Sequence, residues 1–267
     1  MLIAEFDSIV IEQEAISSFY LKRYVIIDLY IPNDVDKISA LPLLLINDGQ
    51  NLEEMKWGNL VNRLHAQENI TPFLSIGIHT GKERMNEYGI AGIPDYEGRG
   101  AKARLYTKFI IEELLPFIRN KFNINHQASA FIGFSLGGLS ALDLVWNNPK
   151  LFSTAGVFSG SLWWRSKPLG DDYNDATDRI MHQQVRKSGY RKGLRFYFTT
   201  GSLDEVADRN NNGVIDSIDD TLDIISELKQ KGYKGAHEIT YINYEDGRHD
   251  VPTWGRAMPE FIKWWMS

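Results

Sequence analysis

The chain predicts an α/β fold: one mostly parallel sheet with helices on both faces. Three observations carry this. After an opening pair of alternating segments, short solid apolar runs alternate with stretches of helical period. One run, Ala128 to Phe134, enters a helical segment through the sharp turn Gly133-Phe134-Ser135-Leu136-Gly137. The length of 267 residues, 43 % of them hydrophobic, suits a single domain, 1–267, around one core.

Taken in order, Glu5 to Glu12 and Lys22 to Ile31 alternate apolar and polar, so they read as an antiparallel hairpin turning at Ile16-Ser17-Ser18. Leu41 to Ile46 and Phe73 to Ile78 are solid apolar runs, the pattern of strands buried on both faces, with a helix from Trp57 to Gln67 between them. His79 to Gly100 is polar and glycine-rich, too long for a plain connection, and is expected to wall a site. Ala101 to Lys121 has helical period and leads to the strand before Ser135. Further strands are expected at Phe152 to Phe158, Leu194 to Thr199 and His237 to Tyr244. Helices are expected at Asp171 to Ser188, Ser217 to Lys231 and Thr253 to Trp265. Chemistry in such sheets collects at the carboxyl ends of the strands.

The turn around Ser135 has the form of a nucleophile elbow. Glycine is needed on both flanks because the helix packs back on the strand, and the hydroxyl stands clear near the positive end of the helix dipole. A serine hydroxyl attacks only when an imidazole takes its proton and a carboxylate orients that imidazole. In the α/β-hydrolase order of Ser, acid, His, three histidines follow Ser135. His182 falls in an excursion and His237 at the wrong end of a strand, which leaves His249 in the loop after the last strand. The acid should follow the strand ending near Thr199. Asp204 fits, with Glu205 and Asp208 as alternatives. Two backbone N–H groups should form an oxyanion hole: that of Leu136, and one after the strand ending at Ile46, where Gln50 is preferred to Asn51.

Asp208 to Asp219 matches the D-x-[DN]-x-[DN]-G pattern of a calcium loop. Asp208, Asn210 and Asn212 stand at positions 1, 3 and 5, Val214 offers a carbonyl, and Asp216 and Asp219 stand at positions 9 and 12. Aspartate replaces the usual final glutamate. A structural Ca²⁺ clamping the segment that carries Asp204 is expected, and no cofactor for the chemistry itself. Trp163, Trp164, Arg165, Tyr88 and Arg84 are candidate substrate contacts, with Trp57 and Trp254 behind them. Flat aromatic faces suit a sugar or phenolic group, and the arginines suit an anionic one.

A net charge of −6 without a basic cluster argues against nucleic acid as a partner. No apolar run approaches the ~20 residues of a membrane span, so a soluble protein is expected. The first residues lack the basic segment and apolar core of a signal peptide. The expected compartment is therefore the cytoplasm, unless a leader for the periplasm or secretion has been removed. The absence of cysteine excludes disulfides and thiol catalysis.

With these residues the chain resembles the esterase branch of the α/β-hydrolases, the group of enterochelin esterase-like proteins, S-formylglutathione hydrolase, feruloyl esterase domains and mycolyltransferases. The resemblance covers nearly the whole chain. It rests on Leu44 to Leu52, Arg84 to Tyr88, Phe109 to Pro116, Gly133 to Gly138, Ser159 to Trp164 and Gly247-Arg248-His249. It implies hydrolysis of a carboxylic ester through an acyl-serine, with Ser135, Asp204 and His249 as the triad; the expected partner is a small-molecule or sugar ester, and the resemblance does not specify which. One departure is Asn47-Asp48-Gly49 where many relatives carry His-Gly. An acyltransferase and a non-catalytic binding protein on the same fold are the alternative functions.

Overall fold

The computed structural model describes residues 1–33, 40–67 and 70–267. Among them, nine strands form one sheet in the order β1-β2-β3-β5-β4-β6-β7-β8-β9. They are β1 (Leu2–Glu5), β2 (Ile9–Ser18), β3 (Arg23–Pro32), β4 (Leu41–Asn47), β5 (Leu74–Ile78), β6 (Ile124–Phe134), β7 (Thr154–Phe158), β8 (Arg195–Leu203) and β9 (Ile239–Arg248). From β5 through β4 to β9 every neighbouring pair is parallel. The first three strands join antiparallel to one another and to β5. The opening hairpin is therefore three strands rather than two. Ile16, Ser17 and Ser18 continue β2, and the chain reverses after them, with Lys22 at φ 55°.

The helices are α1 (Trp57–Gln67), α2 (Arg84–Glu87), α3 (Ala103–Lys108), α4 (Leu115–Lys121), α5 (Leu136–Asn147), α6 (Asp175–Asp178), α7 (Ile180–Lys187), α8 (Asp216–Lys231), α9 (Gly235–Glu238) and α10 (Val251–Trp265). A wide π-type turn, Phe109–Leu114, joins α3 to α4, so the long periodic segment is helical throughout but not uniformly α. The expected excursion helix is broken into α6 and α7 at Arg179, whose backbone is extended.

β4 shows why a solid apolar run was needed: Leu43 and Leu45 enter one core and Leu44 and Ile46 the other. Helices α1 and α10 cover the second face through Trp57, Val61, Met258, Phe261 and Trp265. The other face takes α5, α7 and α8, with the α3–α4 segment, through residues such as Leu142, Met181 and Leu228. No described helix is long and apolar enough to cross a membrane.

Candidate active site

Register brings distant residues together. Phe134 of β6 pairs with Phe158 of β7, and Leu203 of β8 pairs with Arg248 of β9. The next residues, Ser135, Ser159, Asp204 and His249, thus leave the sheet at its carboxyl edge. Ser135 sits at φ 55°, the strained elbow conformation. A Cβ on Gly133 would stand 2.3 Å from the Gly137 carbonyl carbon, and one on Gly138 3.0 Å from the Gly133 oxygen. Close approach of α5 to β6 is what requires glycine there. Ser135 N–H donates to the Phe158 carbonyl (2.9 Å), and its own carbonyl accepts from Ser161 N–H (3.0 Å).

Ser135, Ser161, Trp163, Asp204, Glu205 and His249 line one cleft of about 270 Å³. The three triad candidates share it without hydrogen-bonding to one another. The Ser135 hydroxyl lies 3.3 Å from that of Ser161. His249 stands at the open rim with its ring edge-on to Trp254, centroids 5.2 Å apart. Contact within hydrogen-bonding reach, the sequence expectation, is therefore not present; such bonds are commonly long before substrate binds. Asp204 Oδ2 accepts from Gly201 N–H (3.0 Å) and the Ser217 hydroxyl (3.1 Å). Its Oδ1 is buried and has no partner, an acceptor left open on the side where β8 meets β9. Partial burial lowers the His249 pKa, and the Asp204 charge opposes that shift. Glu205 shares the cleft, and burial raises its pKa.

The loop after β4 is tied to the elbow by a buried network. Asp48, at φ 58° and 1 % exposed, is held bidentately by Arg84 (Nε–Oδ1 and Nη2–Oδ2, both 2.7 Å). Its N–H donates to the Tyr88 hydroxyl (3.1 Å), and Asn47 Nδ2 donates to the Gly137 carbonyl (2.8 Å). Gln50 follows in a short turn, its side chain tied to Thr80. Gln50 and Leu136 both stand in the first turn of a helical element, where backbone N–H groups have no intrahelical acceptor.

Several proposed substrate contacts stand elsewhere. Trp164 is fully buried, its indole packed on Gly89 and Gly100 and donating to the Ile93 carbonyl (3.2 Å). Tyr88 is fully buried as well, and Arg84 is committed to Asp48. Of the doublet, only Trp163 faces the cleft. Arg165 lies in the adjoining cavity. Trp57 is a core residue, and Trp254 donates to the Ser159 hydroxyl (3.1 Å) beneath His249. Sequence reading missed Ser161, Ser217 and the Asp48–Arg84 pair. Position directly after β7, beside the elbow strand, was the available signal for Ser161.

In the loop 208–219, Asn210 and Asn212 both donate to Asp219 Oδ2 (2.7 and 3.1 Å). Asp208 accepts from the backbone of Asn212 and Gly213. Asp216 differs from the expected ligand set: its carboxylate accepts from Arg209 N–H (2.9 Å) and pairs with the Arg209 guanidinium (3.0 Å). Among the described residues no three His, Cys, Asp or Glu side chains gather as a metal group. The amide nitrogens of Asn210 and Asn212 face Asp219, while their oxygens accept from the Asn212 and Val214 N–H groups; the carboxylate and amide oxygens available are of the hard type that calcium takes.

The "Putative esterase" family model matches residues 18–264. Two Bacillus subtilis (strain 168) proteins are similar. Uncharacterized protein YbbA is 27 % identical over 145 residues, 52 % of this chain and 57 % of YbbA. Uncharacterized protein YjcH is 21 % identical over 243 residues, 86 % of this chain and 92 % of YjcH. Among solved structures, a ferulic acid esterase aligns with TM-score 0.72 at 15 % identity, covering 97 % of this chain and 98 % of that one. The enterobactin esterase of Shigella flexneri aligns with TM-score 0.72 at 20 % identity, covering 96 % of this chain and 59 % of the esterase. At these identities the structural likeness is one of fold, and the chain spans under two thirds of YbbA and of the enterobactin esterase. The family match covers nearly all of the chain, which therefore belongs to the "Putative esterase" family.

Proposed function

We propose that Ser135, Asp204 and His249 hydrolyse a carboxylic ester through an acyl-serine intermediate. A swing of the His249 ring from the cleft rim places one ring nitrogen on Asp204 Oδ1 and the other on the Ser135 hydroxyl. His249 takes the hydroxyl proton as Ser135 Oγ attacks the ester carbonyl, and Asp204 steadies the imidazolium. The N–H groups of Leu136 and Gln50 receive the negative oxygen. Collapse breaks the C–O bond, and His249 gives its proton to the departing alcohol. Water then repeats the sequence on the acyl-serine, releasing the acid and free Ser135.

The observation that supports this reading is the pairing of Leu203 with Arg248, the residues directly before Asp204 and His249, together with the buried, unpartnered Asp204 Oδ1. The names of the ferulic acid and enterobactin esterases favour a phenolic or catecholic ester as the first substrate to try. The test is turnover of 4-nitrophenyl acyl esters. Ser135→Ala should lower kcat by several orders of magnitude, as removal of one member of such a unit does. Wild-type turnover in that variant would contradict the assignment.

We also propose that Asp208, Asn210, Asn212 and Asp219, with the Val214 carbonyl, hold a structural Ca²⁺. The loop leads into α8, whose Ser217 carries the Asp204 carboxylate.

A further inference from the structure

Beside the cleft lies a second cavity of about 290 Å³, which shares Trp163 and Glu205 with it. Arg165 lines this cavity. Its guanidinium carbon lies 5.2 Å from the Tyr96 ring centroid, 5.7 Å from that of Trp163 and 5.9 Å from that of Tyr173. Its backbone carbonyl accepts from Tyr96 N–H (3.0 Å), which fixes the base of the side chain. Among the described residues no carboxylate stands within ion-pair distance of it, and its Nε is buried without a hydrogen-bond partner.

Its neighbours differ. Arg99 pairs with Asp95 (2.5 Å) and Glu97 (3.0 Å), and Arg179 and Arg209 share Asp220. Of the two carboxylates lining the cavity, Asp216 is neutralised by Arg209. Glu205 is capped by Ser217 N–H and pushed by burial towards its neutral form. A partly desolvated guanidinium costs free energy unless something pairs with it. Aromatic faces stabilise the cation but leave its N–H donors unused.

We propose that Arg165 binds an anionic group of the substrate, a carboxylate or comparable anion, carried by an ester whose scissile carbonyl sits at Ser135. The inference rests on the esterase reading for the second half of that statement only. The anion accepts from the guanidinium, and the body of the substrate lies along Trp163. The anionic group belongs either to the acyl portion or to the leaving alcohol.

Binding to the Ser135→Ala protein tests this without relying on turnover. One pair of ligands is mono-4-nitrophenyl glutarate against 4-nitrophenyl valerate, with the acid on the acyl side. The other is 4-acetoxybenzoate against its methyl ester, with the acid on the leaving group. The expected result is tighter binding of the anionic member of one pair. In Ser135→Ala/Arg165→Met that preference falls roughly ten- to hundredfold, the worth of one charge-assisted hydrogen bond. The neutral member of each pair reports whether the variant still folds and binds. No preference in either pair, or a preference that survives Arg165→Met, overturns the proposal. Rapid ester hydrolysis by Ser135→Ala itself would instead overturn the nucleophile assignment and leave the Arg165 result to stand on its own.

Discussion

His249 meets opposing influences: partial withdrawal from water and the Arg84 charge lower its pKa, the Asp204 and Asp250 charges raise it, and the lowering prevails. A lowered pKa keeps the imidazole neutral, and so able to accept a proton, further into acid. The kcat/KM profile should therefore rise through a pKa below the ordinary histidine value of about 6.5 and be flat above it. Asp204→Asn removes the larger of the two opposing charges, moving that limb to still lower pH, and lowers the plateau by roughly 10⁴-fold through loss of the oriented tautomer. Glu205→Gln should cost far less. A pH–rate series on the three proteins checks this, and a greater loss in Glu205→Gln would exchange the two roles. The positions of Ser135 and His249 on one cleft were legible because glycines and strand ends mark their places. Asp204 and Glu205 are adjacent in sequence, and only the pairing of Leu203 with Arg248 and the Ser217 hydroxyl distinguish them. The Trp163-Trp164 doublet carries no signal of direction, since one ring faces the cleft and the other the core.

Among the elements, the elbow and the loop after β4 are held by packing and charge rather than by local preference. Gly133→Ala would drive a methyl into the Gly137 carbonyl, so both stability and turnover should fall. The thermal melt and ester assay read this; a native melt with full activity would mean that α5 has room to shift. Arg84→Met leaves the Asp48 carboxylate buried and unpaired, a loss of about 3–5 kcal/mol by chemical denaturation. An unchanged midpoint would remove that pair as the anchor of the Gln50 turn. For the loop 208–219, Ca²⁺ should raise the melting temperature of the chelator-treated protein, and Asp219→Ala should abolish the rise. Equal melts with and without chelator would count against the ion. The spacing of Asp208, Asn210 and Asn212 was readable, whereas the capture of Asp216 by Arg209 was not. It depends on a buried cation shared with the excursion helices, a long-range contact that no local pattern encodes.

At the scale of the whole molecule, two apolar cores sandwich the sheet, and the buried polar groups between elements set its response to pH. Burial lowers the His182 pKa to about 3, with Arg179 adding to the effect, and lowers His65 to about 4. Both pKa values lie below the unfolded value near 6.5, so unfolding takes up protons between the two. Stability should fall as pH drops from about 6.5 towards these values, by up to about 1.4 kcal/mol per pH unit for each histidine. Asp220, raised by burial to about 6, opposes this over part of the range. His182→Gln should flatten the dependence, and an equally steep slope would place its origin elsewhere. The parallel sheet was legible because each central strand is a solid apolar run. The third antiparallel strand was not, since β1 is four mostly exposed residues at an edge. The most direct test of the account is labelling with a fluorophosphonate, followed by peptide mapping. One adduct on Ser135, formed by the native protein and nearly absent in His249→Ala, is the predicted result. Ester hydrolysis that persists with Ser135 unlabelled, or an adduct on another residue, would contradict it.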